Sequence, residues 1–148
     1  MNVLAKPLVL VLLAAALCVA GGCSKSPAPA KVGETVKAGG WELLVEEAVT
    51  LKDFQGKAAA SGKVWLVSRA VAKNTAATTQ TLDPAWFGAG KDYDTWQGTT
   101  TLKGLTGTSE VPPGGSANAL SAFEVPEGVT EIALLLETPG GAAQVLLN

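Results

Sequence analysis

The feature that most constrains the fold is a two-residue alternation of apolar and polar side chains that begins at Val32. Residues that form turns, mostly Gly and Pro, interrupt it every eight to twelve positions. Alternate side chains of a β-strand point to opposite faces, whereas an amphipathic helix needs apolar residues three and four positions apart, a spacing that no window here sustains. The sequence therefore predicts an all-β domain.

Nine segments after Val32 have the length and composition of strands, and Gly- and Pro-rich stretches separate them. They are Glu34–Ala38, Trp41–Leu51, Lys63–Asn74, Thr78–Leu82, Pro84–Ala89, Tyr93–Gln97, Ala117–Val125, Thr130–Thr138 and Gln144–Leu147. Seven to nine short strands in one domain are typical of a two-sheet antiparallel sandwich.

Three of these segments divide into an inner and an outer face. The residues predicted to face the core are Ile132, Leu134 and Leu136, then Ala119, Ser121, Phe123 and Val125, then Trp41, Leu43 and Val45. Continuing the last series would bury the carboxylate of Glu47, which is costly without a partner. We therefore expect a β-bulge near Glu46-Glu47.

The segment Lys63–Asn74 does not divide in this way, because apolar residues lie on both of its faces. Val64 and Leu66 belong to one face, and Trp65 and Val67 belong to the other. A partner surface on the outer face would explain this pattern. A bulge that exchanges the two faces midway along the strand, which would hide both apolar sets, is the favoured explanation.

The first 22 residues are typical of a cleaved signal peptide. Lys6 precedes an apolar run from Leu8 to Ala20, which is shorter than the roughly 20 residues of a membrane-spanning helix. Small residues, Ala20-Gly21-Gly22, then lead to Cys23 and fit the extended backbone that a signal peptidase binds. The sequence therefore predicts that the protein is secreted across a membrane.

The segment before Cys23 resembles the lipobox of bacterial lipoproteins, with Ala20 at the position that usually carries Leu. The resemblance implies that Cys23 is acylated on sulfur and becomes the first residue of the mature protein. Two acyl chains suffice for stable membrane attachment. The predicted organisation is a signal peptide at 1–22, an acylated Cys and Ser/Pro/Ala linker at 23–31, and a domain at 32–148, held outside the cytoplasm on a bacterial cell membrane or outer membrane.

Charge and residue inventory exclude several classes of function. The formal charge of −2 and the lack of a basic cluster argue against nucleic-acid binding. The chain has no His, and its only cysteines are Cys18 and Cys23, both in the leader region. These absences exclude Ser-His-Asp and Cys-His catalysis, Cys/His zinc sites and a structural disulfide in the domain. We expect a protein that is not an enzyme and has no cofactor.

Aromatic residues are the first candidates for a binding surface. Exposed rings stack on sugars or insert into protein partners. The residues expected to be exposed are Trp65, Trp86, Phe87, Tyr93 and Trp96. Of these, Trp65, Trp86, Tyr93 and Trp96 are the predicted binding residues, and ordinary core packing is the alternative for each.

Asp92 and Asp94 are the candidates for a metal site. In an extended segment their side chains lie on one side, where two carboxylates could share a calcium ion. Calcium would still need at least four further oxygens. A solvated hairpin tip is the alternative explanation of this Asp-x-Asp sequence.

Three segments of the domain resemble successive parts of a known family. They are VGETVKAGGWELLVEEAV at 32–49, VWLVSRAVAKNTA at 64–76 and VPPGGSANALSAFEVPEGV at 111–129. They are similar to the telokin-like, immunoglobulin-fold domain of bacterial lipoproteins, whose function is unknown. The resemblance implies an immunoglobulin-like sandwich that is secreted or lipid-anchored, with no shared catalytic residues. Independently of the resemblance, Asn74 is expected to end a long strand, where its side chain can cap the following turn.

Together these features predict a lipid-anchored, non-enzymatic module that binds a protein or another envelope partner outside the cytoplasm. The alternative is a carbohydrate- or calcium-binding envelope module. In that case Trp86, Tyr93 and Trp96 would stack on the sugar, and Asp92 and Asp94 would hold the cation.

Overall fold

A computed structural model describes residues 29–104 and 109–148 of the chain. Cys23, the signal peptide and most of the linker lie outside the described residues. The elements are β1 (Ala30–Lys31), β2 (Thr35–Ala38), β3 (Trp41–Leu51), β4 (Asp53–Phe54), β5 (Lys57–Ala58), β6 (Lys63–Asn74), β7 (Gln80–Thr81), the 3-10 helix η1 (Pro84–Trp86), β8 (Phe87–Lys91), β9 (Asp94–Trp96), β10 (Gly98–Lys103), β11 (Glu110–Val111), β12 (Ser116–Pro126), β13 (Ala133–Thr138) and β14 (Gly141–Leu146).

Two five-stranded sheets form the body of the protein. Sheet A has the strand order β1-β14-β13-β8-β9, and sheet B has the order β10-β12-β6-β3-β2. All neighbours are antiparallel except β1 and β14, which are parallel. The predicted all-β, two-sheet sandwich is confirmed, with ten strands in the two sheets instead of seven to nine. β1 pairs with β14, so two residues of the segment predicted as linker, Ala30 and Lys31, form a strand of sheet A.

The core lies between the two sheets, as the alternation predicts. All ten residues that were expected to face inward are at most 3% exposed. The expected bulge is present as well, because the register between β3 and β6 shifts between Val45 and Glu47. Glu46 and Glu47 are exposed as a result, and both carboxylates lie within 3.5 Å of the Arg69 guanidinium. The bulge therefore keeps two charges out of the core.

The structure explains why strand β6 has apolar residues on both of its faces: a hairpin of the same chain covers part of the outer face. Its register with β12 runs without a shift from Lys63 to Lys73, so the two faces are not exchanged. Trp65 instead points outward and is covered by the hairpin β4-β5. The Trp65 Nε1 group donates to the Lys57 carbonyl at 2.9 Å, and the Phe54 and Trp65 ring centroids are 6.1 Å apart. The outer face of β6 thus has its own small apolar cluster.

Asn74 fixes the end of β6 to two loops. The side chain is fully buried, and its amide nitrogen donates to the carbonyls of Thr78 and Val111 at 2.8 and 2.9 Å. Its side-chain oxygen accepts from the Ala76 N–H at 2.9 Å, which confirms the predicted cap on the turn. Every polar atom of this buried amide group therefore has a partner.

The middle of the chain departs most from the predicted strands. The segment Pro84–Ala89 begins as η1, because the Asp83 side chain accepts from the Ala85 N–H and caps a 3-10 turn, and only then continues as β8. The segment Thr130–Thr138 becomes a strand only at Ala133, since Glu131 has a φ of 61°. Strand β10 was not predicted at all.

Gly98 allows the chain to cross from one sheet to the other. Only Gln97 lies between β9 in sheet A and β10 in sheet B. A β-carbon at Gly98 would lie 2.0 Å from the Ala122 carbonyl oxygen. Since backbone atoms cannot move aside as a flexible side chain can, any larger residue would push the crossing out of register.

We expect Asn74→Ala to lower the free energy of unfolding by about 3 kcal/mol, because it leaves the buried Val111 carbonyl and the part-buried Thr78 carbonyl without a donor. Asn118→Ala is the matched control, since the Asn118 side chain is exposed and makes no hydrogen bond among the described residues. Urea unfolding followed by circular dichroism measures both. A loss below about 1 kcal/mol for Asn74→Ala would contradict the role of this side chain.

Candidate functional site

A groove runs along the outer face of sheet A. Its floor is β8, where Ala89 points into the core and its neighbours Gly88 and Gly90 face outward without side chains. Leu135 of β13 lies over Gly90, where a β-carbon would come within 2.9 Å of its Cδ1 atom. The groove therefore consists of two clefts, of about 260 and 180 Å³, that meet at Leu135 and Thr95. We call the two clefts together the sheet A groove.

The two clefts have different linings. The larger is lined by Pro29, Gly90, Lys91, Asp92, Asp94, Thr95, Glu131, Ala133, Leu135, Gln144 and Leu146. The smaller is lined by Ala85, Trp86, Phe87, Gly88, Ala89, Thr95, Gln97, Leu135 and Glu137. In the larger cleft, apolar residues lie between polar groups, a common composition of a ligand site, whereas the lining of the smaller cleft is mainly polar. Pro29, the first described residue, shows that the chain enters the fold beside this groove.

Several polar side chains of the groove are free to bind a ligand. Among residues 29–104 and 109–148, the side chains of Asp94, Thr95, Gln97 and Gln144 make no hydrogen bond or ion pair. Lys91 is already engaged, since its Nζ donates to the Thr130 carbonyl at 2.7 Å and lies 3.8 Å from the Glu131 carboxylate. Lys91 therefore holds the loop after β12 at one end of the groove, and the free amides and hydroxyl lie along its walls.

The predicted aromatic residues do not gather on one surface. Trp65 and Phe87 are only 7% and 3% exposed, so the expectation that they are exposed is wrong. Trp65 is covered by the β4-β5 hairpin, and Phe87 belongs to the main core. Trp96 pairs with Ala89 and packs on the core side of β9, away from the groove. Tyr93 is fully exposed at the tip of the β8-β9 turn.

Among Trp65, Trp86, Tyr93 and Trp96, only Trp86 lines the groove. It is half-buried at the end of η1, where it packs against the main core and borders the smaller cleft together with the buried Phe87. Tyr93 lies at the opposite end of β8 and lines neither cleft. The three-ring platform of Trp86, Tyr93 and Trp96 is therefore not assembled, although one of its rings borders the groove.

Asp92 and Asp94 both line the larger cleft. Asp92 lies in the turn between β8 and β9 and Asp94 begins β9, so the two do not form the extended segment that the prediction assumed. Asp92 has a φ of 53°, a backbone conformation that Asp tolerates better than most residues. In the described parts of the chain, no group of three or more His, Cys, Asp or Glu side chains could hold a metal ion. Calcium binding by the two carboxylates remains a prediction.

A third cleft, of about 360 Å³, lies at one end of the sandwich and contains none of the predicted residues. Several of its polar groups already have partners. Lys52 pairs with Glu127, and the Asn148 side chain bonds to the Ile132 N–H and the Val129 carbonyl at 2.9 and 3.0 Å. Fewer groups are left for a ligand here than in the sheet A groove.

The residues of the groove that sequence reasoning missed are Thr95, Gln97, Leu135 and Gln144. One signal was available. Gly88 and Gly90 alternate within a strand, and glycines inside a strand often mark a place where another group approaches closely. The neighbours of these glycines across the sheet could not be known without the strand pairing.

No family profile matches the sequence, and no curated protein matches it. Within the described residues, no helix has the length and apolar character needed to cross a membrane. Solved structures give the informative comparison, because several share the architecture at low sequence identity.

Three structural neighbours come from Clostridium difficile and Bacillus subtilis. An uncharacterized β-sandwich protein of Clostridium difficile 630 is 15% identical over 80% of this chain and 95% of its own, with a TM-score of 0.54. The yjhA protein of Bacillus subtilis is 15% identical over 80% and 99%, with a TM-score of 0.58. A "putative lipoprotein (ycdA)" of Bacillus subtilis strain 168 is 13% identical over 78% of this chain and 38% of its own, with a TM-score of 0.63. At these identities the likeness shows the fold alone, a β-sandwich found in proteins of unknown function.

Proposed function

We propose that the chain is a lipid-anchored, non-enzymatic module that binds a protein or another envelope partner outside the cytoplasm through the sheet A groove. The groove carries this proposal, because it combines an apolar floor with polar side chains that have no partner within the described structure. The chain has no His, and a Ser-Lys dyad, which can work without His, needs a desolvated Lys, whereas Ser61 and Lys63 are both exposed. These features support a binding role over a catalytic one.

Membership of the telokin-like, immunoglobulin-fold lipoprotein family is part of the same proposal. It rests on the three sequence segments at 32–49, 64–76 and 111–129, and the β-sandwich neighbours are compatible with it. One neighbour carries the name of a lipoprotein, which agrees with the lipobox-like segment before Cys23. The proposed anchor is a diacylglyceryl group on the Cys23 sulfur.

The proposed anchor and the groove would lie close together. Pro29 lines the larger cleft and follows Cys23 by six residues. A fully extended segment of that length spans about 20 Å. Pro29 and the edge of the larger cleft beside it would therefore stay within about 20 Å of the lipid headgroups, within reach of a partner at the membrane surface or in the adjacent cell wall.

Acylation of Cys23 is tested by mass spectrometry of the protein from bacterial membranes. We expect a mature chain that begins at Cys23 and carries fatty-acyl groups, and we expect Cys23→Ala to prevent both processing and acylation. Cys18→Ala is the control, since that residue leaves with the signal peptide. An unmodified polypeptide released into the medium would contradict the anchor.

The binding role of the groove is tested by photo-cross-linking in cells. A photoreactive phenylalanine at Thr95, which borders both clefts, is expected to give a covalent adduct with the partner. The same residue at Thr35, an exposed position on the edge of sheet B, is the control and is expected to give none. Equal adducts at both positions, or none at Thr95, would contradict the proposal.

Carbohydrate binding is the second candidate, and the position of Trp86 favours it. An aromatic ring beside amide and hydroxyl groups is a common way to bind sugar rings, which have an apolar face and polar edges. In the groove, Trp86 lies near Gln97 and Thr95. A glycan of the cell wall would then be the ligand.

Soluble peptidoglycan fragments test this candidate in a thermal melt. A ligand that binds only the folded state raises the melting temperature. We expect such a rise for the native chain, and we expect Thr95→Ala/Gln97→Ala to reduce the affinity about tenfold, as two lost hydrogen bonds would. Calcium is added in a separate arm. No shift at millimolar fragment concentration would rule the candidate out.

A further inference from the structure

Strand β10 forms an unusually open edge of sheet B. It has six residues, Gly98–Lys103, and pairs with β12 over all six without a shift in register. The other edge strands of the two sheets, within the described residues, have two residues in β1, four in β2 and three in β9. β10 therefore presents the longest regular row of backbone groups on a free edge.

Sheet edges are normally protected against pairing with another chain by charged residues, Pro, bulges, short length or a helix or loop that covers them. β2 is short and has Lys37 within it. β10 carries no Pro and no bulge, and its one charge is Lys103 at the last position. η1 lies beside β10, but its own backbone bonds go to Asp83 and Pro84. No backbone group of β10 bonds to any described residue on its free side.

We infer that β10 pairs with β10 of a second copy of this chain, antiparallel and about a two-fold axis, so that the two B sheets become one sheet of ten strands. Antiparallel pairing of identical strands is the form that a two-fold axis requires. With the axis at Thr100, Thr99 of each copy lies opposite Thr101 of the other. This inference is independent of the ligand proposed for the sheet A groove.

The sequence of β10 favours its own copy as the occupant. Its centre is three consecutive threonines, and Thr–Thr pairs across strands are favourable. Antiparallel pairing also places the two Lys103 side chains at opposite ends, about 20 Å apart along the sheet, which is beyond the distance at which exposed charges repel strongly at physiological salt. The edge thus has no feature that would repel its own copy.

The exposed residues Thr99 and Thr101 give a direct test. Thr99→Lys/Thr101→Lys would place like charges opposite each other at the centre of the pair while leaving the contacts of the core unchanged. The full chain is purified in detergent, and its mass is measured by light scattering coupled to size exclusion. We expect a dimer for the native chain and a monomer for the double variant. Thr35→Lys/Thr50→Lys, which adds the same charge at exposed positions of β2 and β3, should remain dimeric.

A second measurement needs no variant. The amides of residues 98–103 in the native chain are followed by hydrogen exchange at high and low protein concentration. We expect exchange on this strand to slow severalfold at high concentration, while the β2 amides do not change. A native chain that stays monomeric, a double variant that stays dimeric, or exchange in β10 that is independent of concentration would each overturn the inference.

Discussion

The continuous pairing of β6 holds the molecule together. This strand runs for twelve residues and is bonded to β12 on one side and β3 on the other. Its inner face carries the small, buried residues Ser68, Ala70 and Ala72. Ala70 and Ala72 belong to the same core cluster as Leu134 and Leu136 of sheet A. At the end of the strand, the Asn74 side chain donates to the Thr78 carbonyl in the loop before β7 and to the Val111 carbonyl at the end of β11. Sheet A packs on a surface that β6 and its two neighbours provide.

This arrangement predicts that the long central strands of sheet B open less readily than the β8-β9 edge of sheet A. Sheet A ends in β8 and β9, where β8 contains two glycines and β9 has only three residues. Short strands with few side-chain contacts open more readily than central ones, and binding surfaces are commonly drawn from such regions. The sheet A groove lies on these strands, next to the residue where the chain enters the fold. On this account, the long strands of sheet B support the sheet A groove, whose strands open more readily and lie close to the proposed anchor.

The sequence predicted best those elements whose two faces differ in polarity. The bounds of Trp41–Leu51 and Lys63–Asn74 agree with β3 and β6, and the bulge at Glu47 followed from the cost of burying a carboxylate. β10 was missed because three of its six residues are Thr and Leu102 is its only large apolar residue, so it lacks the apolar alternation that an edge strand does not need. Trp65 was expected to be exposed because its cover, the β4-β5 hairpin, comes from a segment without a strand pattern. The candidate site was harder to predict, since β8, β9, β13 and β14 meet only through long-range pairing.

Native-state hydrogen exchange followed residue by residue tests most directly whether β6 is the element on which the fold depends. The amides of β6 and β12 that face each other around Ala70 and Ala119 should exchange only by global unfolding, and so report the full free energy of the protein. Those of β9 and the β4-β5 hairpin should exchange by local opening, at least tenfold faster. Protection in β8 and β9 equal to that in β6 would contradict the account, because sheet A would then be as firmly held as the strand proposed to support it.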